Sequence, residues 1–486
     1  MRISLLLVLV ILTNVSWSQN LETRIKNVEN GLAFPKIVSL GKKTSKGNIL
    51  KRLKRNKING ASVAVIHQGK LAWAKTYGIT EAGSTNSVTT TTLFQAASIG
   101  KVITALAVLK LVAEGKLGLD ENVNDKLKRW KIKENKHTES TKVTLRHLLS
   151  HSAGLTDGYG FLGYGPKDQI PTLLQILNNA SPAKTKKSLA IKSTPGKVER
   201  YSGAGYLIIQ LLIEDVSQLS FADYVQQRIF TPLQMTNTTY DNQPDKNQGK
   251  SIAAGHLSNG KSLKNKRYNI YPEKAAAGPW TTAEDLAKLV VAIQGAFKNQ
   301  ADPILPQALI TKFLSPQINN KGLGVNLKGV DKPQAFWHAG QNLGYTALLY
   351  GLIDQGEGAV VLLNSDGGER FMQEFVSSVA NEYNWPVMKS YESLKIAPSL
   401  QSLLVGKYQS TNPSQSIYIN QKKGTLFIKP ANSRKAFQLY KIGENHYTLK
   451  DSQDYFKLKF TFENDKVTSM TYAESIGKVL ELKKVE

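Results

Sequence analysis

The stretch FQAASIGKVITALAVLKLVAEGK, residues 94–116, contains the pattern that decides the fold. Beyond Ser98 its apolar side chains recur at helical spacing, and Gly115 follows them as a typical helix end. The stretch therefore predicts a helix over residues 98–114 with one buried side, and with Ser98 in its first turn. Because positions i and i+3 share one face of a helix, Lys101 should lie one turn away from Ser98.

The pair Ser98 and Lys101 has the chemistry of nucleophilic catalysis. A serine hydroxyl is a weak nucleophile until a neighbouring base takes its proton. A buried lysine that is surrounded by other donors can lose its proton near neutral pH and act as that base. The positive end of the helix would also stabilise negative charge that develops at Ser98.

The tetrapeptide Ser98-Ile-Gly-Lys101 is a weak signal by itself. The same letters recur at Ser475-Ile-Gly-Lys478, and residues 39–42 also have serine and lysine at this spacing. Short motifs of this kind match freely in any chain. Only the copy at Ser98 opens an apolar-periodic helix, so the surrounding sequence must distinguish the copies.

Four further motifs follow in order along the chain and make the copy at Ser98 specific. Together the five motifs resemble those of the serine β-lactamase-related family of penicillin-recognising enzymes, and the resemblance covers roughly residues 48–384. They are FQAASIGK (94–101), VTLRHLLSHSAGL (143–155), YSGAGY (201–206), GPWTTAEDLA (278–287) and HAG (338–340).

The resemblance implies a fold and a catalytic mechanism. The fold would be α+β, with an antiparallel sheet flanked by helices and a helical subdomain, as in β-lactamases and transpeptidases. Ser98 would be the nucleophile that forms an acyl-enzyme. Lys101 and Tyr201 would share the acid–base work, and the division of roles between them stays open.

The resemblance also implies which residues hold the substrate. The backbone N–H groups of Ser98 and Gln341 would form the oxyanion hole, whose donors stabilise a tetrahedral intermediate. His338, in the motif that ends at Gly340, would lie on a strand beside the site and face the substrate. Gly203 completes the tyrosine motif.

Two of these positions depart from the family pattern. The tyrosine motif usually ends in asparagine, whereas this chain has Gly203 and so lacks a side-chain amide. The strand motif has His338 where the lactamases proper usually have lysine, and histidine is mostly neutral at pH 7. Both departures favour an esterase, an amidase or a D-amino-acid peptidase over an antibiotic hydrolase.

Composition and patterning divide the chain into five segments. The N-terminus has Arg2 before an apolar run, which is typical of a secretory signal and too short for a transmembrane anchor. Beyond about residue 403, short apolar segments recur between turn signals, which predicts a small all-β domain. The expected segments are a signal peptide (1–18), an N-terminal basic segment (19–47), a serine hydrolase domain (48–384), a linker (385–399) and a C-terminal, lipocalin-like β-barrel (400–486).

Charge and cysteine content limit the partners. The formal net charge is +26, which favours an anionic cell-envelope surface as a partner. No nucleic-acid-binding signature accompanies the charge, so nucleic acid is not expected. The chain has no cysteine, and His147 and His151 lack the glutamate of the zinc-protease pattern, so neither a metal nor a cofactor is expected.

The sequence therefore predicts an exported, periplasmic or secreted serine hydrolase that acts through Ser98 on a small ester, peptide or β-lactam-like substrate. The alternative is a non-catalytic protein of the same fold that binds penicillin or peptidoglycan peptides. The glycine-rich segment 157–166 is either a plain surface loop or a lip on which Tyr159, Phe161 and Tyr164 cover the substrate.

Overall fold

A computed structural model of the chain describes residues 20–486, apart from 36, 39–44, 157–160, 186–188, 265, 301–303, 330–331, 412–413, 451–455, 477 and 486. The expected signal peptide (1–18) lies outside the described residues. Among the helices in the described part of the chain, none combines the length and the apolar composition needed to cross a bilayer.

The helices are concentrated in the first 400 residues. They are α1 (20–30), α2 (Ile49–Arg55), α3 (Gly100–Ala113), α4 (Val123–Lys126), α5 (Leu145–Leu149), α6 (Leu173–Leu177), α7 (Gly203–Ser217), α8 (Phe221–Val225), α9 (Pro244–Asn247), α10 (Lys274–Ala277), α11 (Ala283–Phe297), α12 (Gln307–Phe313), α13 (Glu369–Glu382) and α14 (Pro398–Leu404). A 3₁₀ turn (Ala97–Ile99) precedes α3, and a π-helical turn (Gln226–Phe230) follows α8.

The strands form a central sheet, a C-terminal barrel and two short pairs. They are β1 (Ile37–Val38), β2 (Gly60–His67), β3 (Lys70–Gly78), β4 (Phe94–Gln95), β5 (Trp280–Thr281), β6 (Asn326–Lys328), β7 (Ala335–Asn342), β8 (Tyr345–Leu352), β9 (Gly358–Leu363), β10 (Tyr391–Glu392), β11 (Gly406–Thr411), β12 (Ser414–Lys422), β13 (Thr425–Pro430), β14 (Phe437–Gly443), β15 (His446–Leu449), β16 (Lys457–Glu463), β17 (Lys466–Ser475) and β18 (Lys478–Lys484).

The central sheet is antiparallel and is closed by the two ends of the α+β region. Within the described residues its strand order is β3-β2-β9-β8-β7-β6. The first strand pair meets the last one in the middle of the sheet, where Ala61 pairs with Leu363. The predicted α+β class, with an antiparallel sheet flanked by helices, is confirmed.

Two apolar cores cover the two faces of this sheet. Helices α1, α2 and α13 pack on one face, where Val28, Leu53 and Phe375 are buried. On the other face lie α11 and the helical subdomain around α3 and α7. Thr282 caps α11 by accepting a hydrogen bond from the Asp285 N–H.

The C-terminal region is a closed barrel, as predicted from its short alternating strands. Strands β11 to β18 follow one another around it, and β11 closes onto β18. The strand expected to begin at Leu403 begins instead at Gly406. The residues before it form α14, whose Pro398 occupies the first turn, where proline is tolerated because the turn needs no N–H from it.

The segment between the two regions is held at both ends. Trp385 is fully buried and donates a hydrogen bond from its indole N–H to the Glu357 carboxylate at 3.1 Å. Leu394 pairs with Lys441 of the barrel. In the turn between β17 and β18, Ile476 is buried and belongs to the apolar core of the α+β region rather than to that of the barrel. Ile476 is therefore at a contact between the two regions.

Candidate active site

Ser98 lies where β4 turns abruptly into α3. Ala97 has a left-handed backbone conformation with φ of +49°, which is unusual for a residue with a side chain. Ala97 begins a 3₁₀ turn that contains Ser98 and ends at Ile99. Helix α3 begins at Gly100, two residues later than the sequence predicts. The turn leaves Ser98 half-buried at the edge of a cavity, whereas Ile99 and Lys101 point into the protein.

Lys101 is the direct partner of Ser98. Its Nζ donates to Ser98 Oγ at 3.1 Å and to the Ala276 carbonyl oxygen at 2.8 Å. The side chain is 1% exposed, and no described carboxylate forms an ion pair with it. The one-turn spacing that was read from the sequence therefore brings the amine to the serine.

Helix α10 stabilises the Ser98–Lys101 pair through buried hydrogen bonds. Thr104 donates its hydroxyl to the Ala275 carbonyl at 2.9 Å, one residue from the carbonyl that accepts from Lys101. The Ala275 N–H in turn donates to Gln210 of α7. Three helices are thus joined through buried hydrogen bonds directly behind the Ser98–Lys101 pair.

Tyr201 reaches the same cavity from the segment that leads into α7. Its ring centroid is 5.0 Å from Lys101 Nζ, and the buried Tyr206 ring is 5.5 Å from that nitrogen on another side. Tyr201 is 41% exposed, and its hydroxyl makes no hydrogen bond to a described residue. The structure therefore brings Tyr201 to Lys101, with its hydroxyl open to a substrate.

His151 positions Tyr201, a role that the sequence did not indicate. Its Nδ1 accepts a hydrogen bond from the Ser202 N–H at 3.1 Å, and its ring lies 4.3 Å from the Tyr201 ring. Burial, with the nearby Lys101 charge, holds the pKa of His151 well below its usual range. The imidazole is therefore neutral and can accept from the backbone. The only signal was its place in the second motif.

Strand β7 passes directly over the serine turn. A Cβ on Gly340 would collide with the Ala96 carbonyl oxygen and would lie 3.1 Å from the Ser98 nitrogen. Only glycine allows the strand to approach so closely. The next residue, Gln341, lines the cavity, and its side-chain amide donates to the Asp366 carbonyl oxygen. The two expected oxyanion-hole residues are thus adjacent in space.

His338 lies on β7, as expected, but it is only 4% exposed. The cavity is lined on this strand by residues 339–342. The Nδ1 atom of His338 is 2.7 Å from the Ala339 carbonyl oxygen, and its ring is 6.5 Å from the Tyr201 ring. Burial, and secondarily the Lys101 charge, lowers the pKa of His338 to about 3. The ring is therefore uncharged at neutral pH.

The cavity has a volume of about 530 Å³, and its lining contains more carboxylates than cations. Ser98, Lys101 and Tyr201 lie at its base. Asp366, from the connection between β9 and α13, and Glu369, the first residue of α13, contribute carboxylates, and neither forms an ion pair with a described residue. Although the chain carries a net charge of +26, Lys101 is the one cation among the lining residues that the structure describes.

Gly203 and Phe161 meet at one side of this cavity. Gly203 is the first residue of α7, and a Cβ at this position would lie 2.6 Å from Phe161 Cζ. Phe161 lines the cavity, as the lip hypothesis requires, but Tyr164 does not. Tyr164 packs into a buried aromatic cluster away from the cavity and is only 2% exposed. Its hydroxyl accepts a hydrogen bond from the Lys184 N–H. Tyr159 lies outside the described residues.

The two histidines considered for a metal are engaged with the backbone. His147 Nδ1 accepts from the Thr144 N–H at 3.2 Å, and His151 accepts from the Ser202 N–H. Among the described residues there is no group of three or more His, Cys, Asp or Glu side chains that could hold a metal ion.

Comparison with known proteins relates the chain to penicillin-recognising proteins. The model of a family described as Beta-lactamase matches residues 46–376. Protein flp from Staphylococcus aureus strain MRSA252 is 28% identical over 236 residues, which are 48% of this chain and 45% of the relative. A teichoic acid D-alanine hydrolase from Staphylococcus aureus is 30% identical over 246 residues, which are 50% of this chain and 56% of the relative. The chain spans about half the length of these curated relatives.

Solved structures share the fold. The octameric penicillin-binding protein homologue from Pyrococcus abyssi superimposes with a TM-score of 0.58 at 21% identity, over 90% of this chain and 98% of that chain. FmtA from Staphylococcus aureus gives a TM-score of 0.54 at 23% identity, over 71% of this chain and 90% of that chain. At these identities the likeness shows the fold alone.

Proposed function

The chain belongs to the beta-lactamase family, and from this premise we propose that it is an exported serine hydrolase that cleaves small esters or amides through an acyl-enzyme on Ser98. One observation carries the proposal. Lys101 Nζ lies 3.1 Å from Ser98 Oγ, in an open cavity, with a second proton-carrying group, Tyr201, beside it. A nucleophile with a base in hydrogen-bond reach is the minimal unit of covalent acyl transfer.

The proposed reaction has two half-steps. The Ser98 hydroxyl passes its proton to the Lys101–Tyr201 pair while Oγ bonds to the substrate's carbonyl carbon. The electron pair of the C=O bond moves to oxygen, which accepts hydrogen bonds from the Ser98 and Gln341 N–H groups. Collapse of this intermediate breaks the bond to the leaving oxygen or nitrogen, which takes the proton. Water then attacks the acyl-serine by the same route and releases the acid.

The charges of the cavity favour some acyl groups over others. A β-lactam presents a carboxylate, but the neutral His338 gives β7 no fixed cation to bind it, and the Asp366 and Glu369 carboxylates would repel it. An acyl group that carries an ammonium would instead be attracted to these carboxylates. A D-alanyl group is small and has such an ammonium, and one relative is named a teichoic acid D-alanine hydrolase. We therefore propose an aminoacyl ester, of the D-alanyl type, as the preferred substrate.

The net charge of the molecule suits a polymeric carrier of that ester. A formal charge of +26 attracts an anionic cell-envelope polymer to the surface, whereas the cavity wall itself is acidic. The positive surface would attract the anionic polymer, and the acidic cavity wall would attract its ammonium-bearing acyl group. Export, which the N-terminal sequence predicts, would place the enzyme in the compartment that contains such polymers.

An active-site probe and a short substrate panel test the proposal. An alkyl fluorophosphonate should label the wild-type protein, and Ser98→Ala should abolish both labelling and hydrolysis. Ser475→Ala, which alters the second copy of the tetrapeptide, is the matched control and should change neither. Short-chain ester cleavage should exceed cephalosporin hydrolysis by at least about tenfold in kcat/KM, a gap of about 1.4 kcal/mol in the barrier.

Two outcomes would contradict this proposal in different ways. Labelling that persists in Ser98→Ala would place the nucleophile elsewhere. A wild-type protein that binds penicillin reversibly but is neither labelled nor active would be a non-catalytic binding protein, the alternative that the loss of a motif side chain at Gly203 allows.

A further inference from the structure

We propose that Phe161 sets the length of the acyl group that the enzyme accepts, by separating the active-site cavity from an apolar space behind it. The inference rests on the proposed function, because it concerns the substrate of the same Ser98. It adds a specificity-determining residue that belongs to none of the five sequence motifs.

Phe161 is placed against the catalytic residues by the absence of a side chain on its neighbour. Its ring lies over Gly203, at a distance that leaves no room for a Cβ there. The ring lines the cavity that contains Ser98, Lys101 and Tyr201. The aromatic ring therefore occupies the space into which a side chain at position 203 would project.

The other side of the ring faces a second, apolar space. Phe161 also lines a small void whose remaining walls are almost entirely aliphatic, namely Ile176, Leu177, Thr185, Leu189, Ala204 and Leu207. The volume of this void is only about 10 Å³, which is about what a single water molecule requires. A void of this size cannot hold an acyl chain while the ring is in place. Among the described lining residues, Phe161 is the one that the two spaces share.

The apolar space suits the acyl group better than the leaving group. The leaving alcohol or amine has to depart to solvent, whereas the acyl group stays bonded to Ser98 Oγ through the second half-step. A closed apolar space is therefore useful to the group that stays. With Phe161 present, that group has to be short, as in an acetyl or alanyl ester. With the ring removed, an alkyl chain could extend between α6 and α7.

The chain-length profile of p-nitrophenyl esters tests this inference, because the leaving group is constant across the series. Wild-type kcat/KM should be highest for acetyl or butyryl esters and should fall for octanoyl. In Phe161→Ala the ratio of octanoyl to acetyl kcat/KM should rise at least tenfold, since burial of each methylene is worth about a fourfold gain. Leu162→Ala is the matched control, because Leu162 is the next residue and its side chain is 65% exposed. It should keep the wild-type profile.

A second variant and a second readout keep the test decisive. If Phe161→Ala does not fold, Phe161→Leu should shift the ratio in the same direction by a smaller factor. Labelling rates with ethyl and octyl fluorophosphonates should follow the same order as the esters. An active, folded Phe161→Ala with an unchanged profile would overturn the inference and leave the proposed function intact. A wild-type protein that no probe labels would overturn both.

Discussion

At the scale of single residues, the chemistry depends on a few buried contacts around one amine. Lys101 Nζ is hydrogen-bonded to Ser98 Oγ and to the Ala276 carbonyl, and two tyrosine rings stand within 5.5 Å of it. No described carboxylate neutralises it. The site therefore offers the amine two acceptors and two aromatic faces, an environment that keeps the nitrogen pointed at the serine.

Substitution of either proton-carrying group should slow acylation of Ser98. Lys101→Ala and Tyr201→Phe should each lower the acylation rate by roughly 10²-fold or more, the scale of general acid–base catalysis. Rapid-mixing measurements of p-nitrophenol release would give these rates. Because the Tyr201 hydroxyl makes no hydrogen bond to a described residue, its loss should leave the melting temperature almost unchanged. Near-normal acylation in both variants would exclude the pair as the proton carrier.

Glu273 gives a separate, pH-dependent prediction about stability. It is 3% exposed, its Oε2 has no hydrogen-bond partner among the described residues, and burial raises its pKa to about 7. Between about pH 4.5 and pH 7 the unfolded chain would release this proton while the folded protein retains it. The free energy of unfolding should therefore fall across that window, by up to about 3 kcal/mol.

The substitution Glu273→Gln isolates this contribution, since a neutral amide has no proton to lose. Urea denaturation at pH 5 and pH 8 should show that the variant gains stability relative to the wild type at pH 8 and gains less at pH 5. Equal differences at the two pH values would mean that Glu273 does not titrate in this window.

At the scale of secondary-structure elements, the cavity is assembled from connections between elements. The turn before α3 supplies Ser98, and the segment before α7 supplies Tyr201. Strand β7 supplies the Gly340–Gln341 wall, and the β9–α13 connection and the first residue of α13 supply the carboxylates. The elements behind are rigid and buried, which fixes the connections at their ends. Loss of charge in one connection should therefore change specificity without unfolding the protein.

The carboxylates of Asp366 and Glu369 should favour a positively charged acyl group. The double variant Asp366→Asn, Glu369→Gln should lower kcat/KM for a D-alanyl ester by about three- to tenfold, the scale of partly exposed charge pairs. Cleavage of the neutral acetyl ester should stay within about twofold. Added salt should weaken the wild-type preference and have little effect on the variant.

A carboxylate elsewhere on the same helix serves as the control. Glu382, at the opposite end of α13, does not line the cavity, so Glu382→Gln should leave the D-alanyl preference in place. Equal losses for the charged and the neutral ester in the double variant would indicate a structural role for the two carboxylates and would contradict the substrate proposal.

At the scale of the whole molecule, the barrel is attached to the α+β region by more than the connecting segment. Ile476 from the β17–β18 turn is buried in the core of the α+β region, and Leu394 pairs with Lys441. Among the described residues that line the catalytic cavity, none comes from the barrel. The barrel is therefore expected to influence stability more than chemistry.

Truncation before Pro398 should leave Ser98 reactive towards a fluorophosphonate. It should lower the melting temperature, because the apolar site that holds Ile476 would be exposed to water. The full-length variant Ile476→Asp should reproduce this loss of stability, whereas Val479→Asp, at a residue of β18 that is already 45% exposed, should not. Complete loss of labelling in a folded truncated protein would show that the barrel supplies part of the active site.

Much of this architecture could be predicted from local sequence, and the rest could not for physical reasons. Helical periodicity placed Lys101 one turn from Ser98, because this spacing is set by neighbours in sequence. Phe161 could be suspected of lining the site, but the identical reasoning also chose Tyr164, which is buried elsewhere.

The carboxylates of the cavity wall could not be predicted at all. Asp366 and Glu369 line the cavity of Ser98 only because β9 and α13 return to it from far along the chain. The contact of Ile476 with the α+β region could not be predicted for the same reason. The sequence around Ile476 contains no local signal of a contact with another region. Contacts between residues distant in sequence depend on the whole topology, which no short window contains.

The pairing of β2 with β9 has a consequence for the order of events during synthesis. Ala61 finds its partner, Leu363, only after nearly the whole α+β region has left the ribosome, and Gly340 reaches Ser98 about as late. Pairings between such distant segments form slowly, because a long loop has to close first. A nascent chain therefore contains Ser98, the proposed nucleophile, long before it has the proposed oxyanion hole or the cavity. The proposed hydrolase would therefore remain inert while it is being made and would become active only once its last strands have assembled.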